Sequence, residues 1–379
     1  MEFELNQEQK AISESAKVFT NAEWVPHAAS WDQNYIFPVD ALKKAASLGF
    51  AGIYVDEEYG GSGLGRIEAA LVFEALASAC ASTAAYLSIQ NMVAWIIDLY
   101  GDHEQRQRWL PGLTSMSLFA SYCLTEPNSG SDAASLKTTA RKDGSDYVLN
   151  GVKAFISGGG TSDVYLVMAR SGDTGSGGIS CFVVEKDTKG LSFGVPEKKL
   201  GWHSQPTTMV MFDDCRIPDS NLIGYEGGGF KIAMSGLEGG RVNIAACSLG
   251  AAFSSFFIAK NHIITREQFG NKLSEFQALQ FKIADMATNL AAARLMVWQA
   301  ADKIDKHALD SGMSSAMAKR FATDVGFSVV NDSLQLLGGY GYLSDHPLER
   351  HLRDLRVHQI LEGTNEIMRV IISREILKG

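Results

Sequence analysis

Between residues 119 and 225 the chain carries four short β-branched and aromatic runs: DYVLNGVKAFISGG, DVYLVMARSG, GISCFVVEK and TTMVMFDDCRI. Gly, Asp and Ser punctuate them, and no helical stretch separates one from the next. A doubly wound sheet needs a helix in each parallel crossover, so this zone predicts an antiparallel sheet or barrel instead. The flanking texture differs. Residues 1–118 read as helices, with Asn6 as N-cap of a helix over 7–20 and the very apolar 67–101 largely helical. Helical spacing returns after YEGGGFK (225–231), over 229–265, 275–305, 314–337, 347–361 and 365–377, which predicts a bundle. The order helical, β, helical gives an α+β fold with domains at 1–118, 119–226 and 227–379. Clefts where such domains meet are common ligand sites.

Length supports this division, since 379 residues exceed one ordinary core. The net charge of −9 argues against nucleic acid as the main partner. Five scattered cysteines, without a CxxC, suggest a reducing compartment rather than a disulfide framework or a zinc site. The histidines show neither HxxxH nor HExxH spacing, so no metal is expected. The first residues lack a basic segment followed by an apolar run, and no stretch is expected to reach the ~18 apolar residues of a membrane span. The expectation is a soluble, intracellular protein with no membrane partner.

Several segments carry chemistry-bearing residues, each with a plainer alternative. YCLTEPNSGSDAA (122–134) offers the hydroxyls of Tyr122, Thr125, Ser129 and Ser131 and turn backbone for a polar ligand; an ordinary domain-boundary turn fits equally. AFISGGG (154–160) suits ring stacking on a planar cofactor, or a strand ending in a turn. GGYGY (338–342) follows a helix and reads as a helix stop, not as a dinucleotide fingerprint. In EGGR (238–241) two glycines inside a predicted helix cost ~1 kcal/mol each relative to Ala. A close ligand approach or a tight helix crossing accounts for them. In REQFG (266–270), Arg266 and Gln268 suit a diphosphate grip or a charged loop. The charges of 347–361 read mostly as a solvated face with i,i+4 pairs Glu349–Arg353 and Arg350–Asp354. Finally, LEGTNE (361–366) sets Glu362 between Leu361 and Gly363, with Thr364 as cap of the next helix and Glu366 in its first turn. A desolvated carboxylate there has a raised pKa and accepts protons near neutrality; a merely polar junction is the alternative.

In their order and spacing, YCLTEPNSGSD, NGVKAFISGG, RxxFG at 266–270, QLLGGYGY and HQILEGTNEIMR resemble the acyl-CoA dehydrogenase family over nearly the whole chain. The resemblance implies an N-terminal helical domain, a middle antiparallel β-barrel domain and a C-terminal four-helix bundle, in a homotetramer built as a dimer of dimers. It implies one FAD per subunit, an acyl-CoA substrate, and electron-transferring flavoprotein as electron acceptor. Glu362 matches the catalytic base that removes the α-proton while the β-hydride passes to flavin N5. Tyr122, Leu124, Thr125, Phe155, Ile156 and Ser157 match positions lining the flavin, although many relatives have Trp where Phe155 stands. Ser131 matches a position shared by cofactor and CoA. Glu238 and Arg241 match an acidic–x–x–Arg pair at the substrate, flanked by Leu361 and Gly363, and Arg374 matches a position near the CoA nucleotide. Arg266, Gln268 and Gln277, with Phe269 and Phe276 nearby, match the grip on FAD diphosphate and adenosine. Gln335, Gly338 and Gly339 match a loop reaching FAD across a subunit interface, and Thr364 and Glu366 match flavin contacts after the base.

Some family members carry the base on the earlier helix, just before the arginine. Here that position is Gly240, which leaves Glu362 as base and Glu238 as its rival. The segments WDQNYIFPVDALKKAASLGF, SGGGTSDVYLVMARSG, GWHSQPT and GGRVNIAACSLGAA resemble a branch acting on short branched acyl chains of the isobutyryl type, as in valine breakdown. The implied location is cytoplasmic in a bacterium, or the mitochondrial matrix in a eukaryote once a presequence is removed. The alternatives are a straight short-chain dehydrogenase, an acyl-CoA oxidase (relatives that are usually longer) and a helical interaction protein without chemistry.

Overall fold

The computed structural model describes residues 4–378. The chain opens with α1 (Gln7–Phe19). Asn6 caps it reciprocally: its Oδ1 accepts from Gln9 N at 2.8 Å and Gln9 Oε1 accepts from Asn6 N at 3.1 Å. After a π-helical turn at Thr20–Trp24 come α2 (Ala28–Gln33), α3 (Val39–Ala46), α4 (Arg66–Ala77), α5 (Ala81–Tyr100) and α6 (His103–Thr114). The helical run expected over 67–101 breaks between α4 and α5. Ser78 Oγ turns back to the Ala75 carbonyl at 2.6 Å, and Cys80 Sγ accepts from Thr83 N at the next helix start.

The middle strands are β1 (Ala120–Cys123), β2 (Thr139–Asp143), β3 (Asp146–Ser157), β4 (Val164–Arg170), β5 (Ile179–Glu185), β6 (Leu191–Phe193), β7 (Thr207–Pro218) and β8 (Leu222–Ile223). They hydrogen-bond in the order β6-β7-β3-β2-β4-β5-β8, with β1 also on β4. Most pairings are antiparallel, but β1 runs parallel to β4, and β2 meets β4 in parallel at Thr139 and Arg170. Both faces of the central strands are covered, which explains their unbroken apolar runs. Tyr165, Val167 and Ala169 join Phe182 and Val184 in the core of the sheet domain. Val164, Leu166 and Met168 face the other way, into a core shared with α5 and α6.

The C-terminal part holds α7 (Gly229–Thr265), the hairpin β9 (Glu267–Gln268) and β10 (Asn271–Lys272), α8 (Gln277–Asp305), α9 (Ser311–Leu337), α10 (Leu348–His358) and α11 (Asn365–Ile376). Contrary to the expectation of no span-length stretch, α7 is long and apolar enough to cross a membrane, with a window of mean hydropathy 1.7. It is apolar all round because 78% of that window is buried inside the protein. It packs against α4, α5, α8, α9 and α10 and touches β5. Close approach is built in: a Cβ on Gly250 would lie 2.1 Å from the Glu74 carbonyl oxygen of α4.

The solvated face expected for 347–361 is corrected. Glu349 and Arg353 do pair, at 2.8 Å. Arg350, however, is buried and donates to the Ala79 carbonyl at 3.0 Å, while buried Asp354 accepts from Trp202 N at 2.6 Å. His351 and His358 are fully buried beside them. Helical spacing predicts which charges are neighbours on one helix, but not which face another element covers.

A buried ion pair ties the sheet to the turn-rich segment after β1. Lys153 Nζ lies 2.8 Å from Glu126 and 3.0 Å from the Leu124 carbonyl, and Glu126 also accepts from Lys137 N and Thr138 N. Lys153→Met is therefore expected to lower the unfolding free energy by about 3–5 kcal/mol by orphaning a buried carboxylate. Denaturant unfolding checks this, with the Glu126→Met/Lys153→Met double variant expected to recover part of the loss.

Candidate active site

One cleft of about 680 Å³ opens where the sheet meets the helices. Its sheet side is built from Tyr122, Leu124, Thr125 and Ser131, after or within β1, and from Phe155, Ile156 and Ser157 at the end of β3. Its helical side comes from Ile89 and Met92 of α5, Met234, Leu237, Arg241 and Ile244 of α7, and Ile367 and Arg374 of α11. Leu361, Glu362 and Gly363, in the turn between α10 and α11, complete it. Phe155 has φ +58° and presents a side chain that is 68% exposed, an uncovered ring on the cleft wall.

Glu362 and Gly363 adopt successive left-handed conformations, φ +55° and +86°. For a glutamate this costs roughly 1–2 kcal/mol, and the neighbouring contacts hold it there. Arg241 Nε donates to the Glu362 carbonyl at 3.2 Å. Lys319 Nζ, fully buried on α9, donates to the Gly363 carbonyl at 2.8 Å and to Asn365 Oδ1 at 2.9 Å. Thr364 then caps α11, its Oγ1 accepting from Ile367 N at 3.3 Å.

The Glu362 side chain packs on the backbone of α7. A Cβ built on Gly240 would sit 2.7 Å from Oε2 and 3.0 Å from Oε1. Oε2 is buried and has no hydrogen-bond partner among the described residues. Burial pushes this carboxyl up to about 7, against the opposing pull of Arg241 and Lys319. Burial also lowers Lys319, to about 8. Both cations spend hydrogen bonds on backbone carbonyls at this turn, so the carboxylate is left as a proton acceptor poised near neutral pH. The glycine pair of EGGR answers to neither ligand nor ordinary helix crossing alone. Gly240 meets the Glu362 carboxylate, and Gly239 meets the Arg66 guanidinium, 2.4 Å from its ideal Cβ.

The expected residues divide into two groups. Tyr122, Leu124, Thr125, Ser131, Phe155, Ile156, Ser157, Arg241, Leu361, Glu362, Gly363 and Arg374 share the first cleft. Arg266, Gln268, Gln335, Gly338 and Gly339 line a second cleft of about 530 Å³, formed by the ends of α7 and α9. Phe269 is 92% exposed beside this region and meets Phe276 edge-on, with ring centroids 6.4 Å apart. Gln277 starts α8, exposed. Glu238 lies outside the lining of either cleft. Thr364 acts as a cap, and Glu366 is exposed with Arg369 at 3.6 Å, so neither lines the first cleft. Sequence reasoning missed Trp202, whose φ is +57° and whose indole Nε1 donates to His358 Nε2 at 3.3 Å. It also missed the apolar residues Ile89, Met92, Met234, Leu237 and Ile244, which look like any core residue.

The acyl-CoA dehydrogenase family matches this chain in three parts: its N-terminal domain over residues 6–117, middle domain over 121–215 and C-terminal domain over 227–377. The mitochondrial isobutyryl-CoA dehydrogenase of Dictyostelium discoideum is 57% identical over 375 residues, covering 99% of this chain and 90% of that protein. Butyryl-CoA dehydrogenase from Megasphaera elsdenii superposes with TM-score 0.97 at 36% identity, covering 100% of both chains. A chain from structural work on the electron transferring flavoprotein of Acidaminococcus fermentans superposes with TM-score 0.97 at 40% identity, again over 100% of both.

The raised carboxyl has a stability consequence. Its folded pKa of about 7 exceeds the ordinary 4.5, so folding favours the protonated form and loses stability as pH rises through that interval. Glu362→Gln removes this loss. The variant is expected to match the parent near pH 4 and to exceed it by about 3 kcal/mol above pH 7, as read by denaturant unfolding across pH.

Proposed function

Because the chain belongs to the acyl-CoA dehydrogenase family, we propose that it dehydrogenates a short branched acyl-CoA of the isobutyryl type, with Glu362 as base. It is an FAD-dependent oxidoreductase acting on a CH–CH bond. The observation that carries the reading of Glu362 is its carboxylate, buried against Gly240 at the wall of the cleft with Oε2 unpartnered. The 57% identity to an isobutyryl-CoA dehydrogenase supports the acyl group.

The cleft residues fit a flavin. A flat ring with one polar edge needs apolar faces and hydrogen-bonding groups, and Phe155, Leu124 and Ile156 supply the first while Thr125 and Ser157 supply the second. These residues, with Tyr122, would hold the ring. The chemistry a flavin held there would supply is acceptance of the hydride from the substrate β-carbon. Glu362 removes the α-proton, which is only weakly acidic beside a thioester, so its elevated basicity matters. The Glu362 N–H is the donor available in this turn to the thioester oxygen as negative charge develops there. Arg241 and Lys319 hold the turn in its left-handed form and so orient both the carboxylate and that N–H. Ile89, Met92, Leu237 and Ile244 exclude water around the acyl group. Arg374 and Ser131, at the cleft rim, receive the CoA portion.

The second cleft suits the diphosphate and adenosine portion of FAD held by a neighbouring subunit, with Arg266 as its cation and Gln268, Gln335, Gly338 and Gly339 around it. The strongly exposed Phe269 and Tyr342 support an interface there and a homotetrameric assembly. Electron-transferring flavoprotein is the acceptor that the similarity to the Acidaminococcus study supports.

Anaerobic bleaching of the yellow holoenzyme tests the reading, using isobutyryl, butyryl, 2-methylbutyryl, isovaleryl and octanoyl thioesters. Isobutyryl-CoA is expected to bleach fastest. One methyl contributes only ~1–3 kcal/mol of discrimination, so butyryl-CoA is expected to follow rather than fail. Glu362→Gln should keep its colour and bind the thioester while bleaching slows by about 10²–10⁴-fold. Glu238→Gln should bleach like the parent; retained bleaching in Glu362→Gln would remove the base assignment.

A further inference from the structure

The cleft has a buried end to which the chemistry described above gives no task. Arg374 and Ser131 on its lining are exposed, whereas Trp202 and Ile244 are 6% and 1% exposed. Ile244 stands on α7 one turn, about 5.4 Å, beyond the Gly240 that seats the Glu362 carboxylate. Leu361, the residue before Glu362, and Ala85 of α5 join Ile244 and Trp202 in a small apolar cluster of their own. The indole is the largest side chain in that cluster.

Trp202 is held there at both ends by α10. Its backbone N–H donates to Asp354 Oδ1 at 2.6 Å, and its indole Nε1–H donates to His358 Nε2 at 3.3 Å. Residues 354 and 358 are one turn apart on one face of the helix, so they grip backbone and ring together. The imidazole is itself fixed. Ser248 Oγ donates to the Ile244 carbonyl at 3.0 Å and accepts from His358 Nδ1–H at 2.7 Å, which leaves Nε2 as the acceptor the indole requires. Burial pushes His358 down to about 3, so the ring is neutral and keeps that lone pair. The loop around Trp202 is seated as closely. A Cβ on Gly201 would lie 2.6 Å from the Arg353 carbonyl carbon, and Gln205 Nε2 donates to the Ser82 carbonyl at 3.0 Å. The left-handed backbone of Trp202, φ +57°, is unfavourable for such a side chain and persists because these contacts over-determine it.

We propose that Trp202 is a specificity-determining residue: its indole, held by Asp354 and His358, closes the acyl end of the cleft and restricts the enzyme to short acyl chains. The hydrogen bonds run from the Ile244 carbonyl through Ser248 and His358 to the indole, and the indole packs back on the Ile244 side chain. That closed circuit fixes the depth of the pocket, and a longer chain would have to break it to enter. Asp354 and His358 are positioning residues, acting on the acyl group only through Trp202. The inference rests on the cleft being the acyl-CoA site but not on the acyl group being branched.

The test uses the FAD-loaded protein and anaerobic bleaching by isobutyryl-, butyryl-, hexanoyl- and octanoyl-CoA at limiting thioester. In Trp202→Leu, bleaching by octanoyl-CoA is expected to become about tenfold faster in absolute terms, as the chain gains the space the indole filled. Isobutyryl-CoA should slow about fivefold, because the widened end positions it less well. A folding defect alone slows every thioester, so a gain with the longer chains marks the wall itself. His358→Leu offers the indole no acceptor and should raise the octanoyl-to-isobutyryl ratio about threefold; His358→Gln, whose amide oxygen accepts, should return it most of the way. Trp202→Phe should raise the same ratio about threefold and decides the matter if Trp202→Leu does not retain FAD. A ratio unmoved in the Trp202 variants overturns the inference, and one unmoved only in His358→Leu removes the positioning role. A parent faster with butyryl-CoA than with isobutyryl-CoA removes the branched reading, while the wall still stands or falls on the Trp202 variants. Bleaching by none of the four removes the acyl-CoA reading and the wall with it.

Discussion

A carboxylate seated on the bare backbone of a buried helix is the contact around which this molecule is arranged. Glu362 reaches Gly240 only because that residue has no side chain, and its neighbour Gly239 makes the same allowance for Arg66. Two consecutive glycines weaken a helix by roughly 1 kcal/mol each. In α7 the loss is offset by burial on nearly every face, against α4, α5, α8, α9 and α10. A shorter or half-exposed helix would have less packing to set against it. The length and all-round apolarity of α7, which mimic a membrane span, therefore belong to the same design as the site it carries.

Around that contact the polar groups divide their work. Arg241 and Lys319 are buried cations near Glu362, yet their hydrogen bonds go to the carbonyls of residues 362 and 363. They stabilise an unfavourable left-handed turn without neutralising the carboxylate side chain through a direct ion pair. Desolvation then outweighs their long-range pull, and the carboxyl stays near 7. On the opposite wall, the Lys153–Glu126 pair fastens the segment after β1 to β3, which brings Thr125 and Phe155 to the same cleft. Each wall is thus held by buried charges whose hydrogen bonds go to the protein itself.

Much of this was legible in the linear chain. Asn6 as a cap, the strand runs, the unbroken helix over 229–265 and Thr364 as the cap of α11 all follow from local stereochemistry. So did the unusual setting of Glu362, because an acid between Leu and Gly at a helix junction is conspicuous. Other features were not legible. The parallel placement of β1 beside β4 depends on a pairing between residues some forty positions apart, as in Ala120 with Val164. Arg350 and Asp354 looked like a surface pair, but Ala79 and Trp202, distant in the chain, cover them. Trp202 was noticed only as part of GWHSQPT and not as a site residue; its left-handed backbone and its bond to His358 exist only once α10 docks on the loop before β7.

The amino-acid sequence by itself determined the helical–β–helical order, the family and the identity of the acidic residue near the end, because these rest on local periodicity, turn chemistry and motif spacing. Tertiary structure decided what that acid experiences. A pKa is set by burial, by where neighbouring cations spend their hydrogen bonds and by which backbone lies against the carboxylate. Those quantities join α7, α9 and the α10–α11 turn, elements that no local rule can bring together.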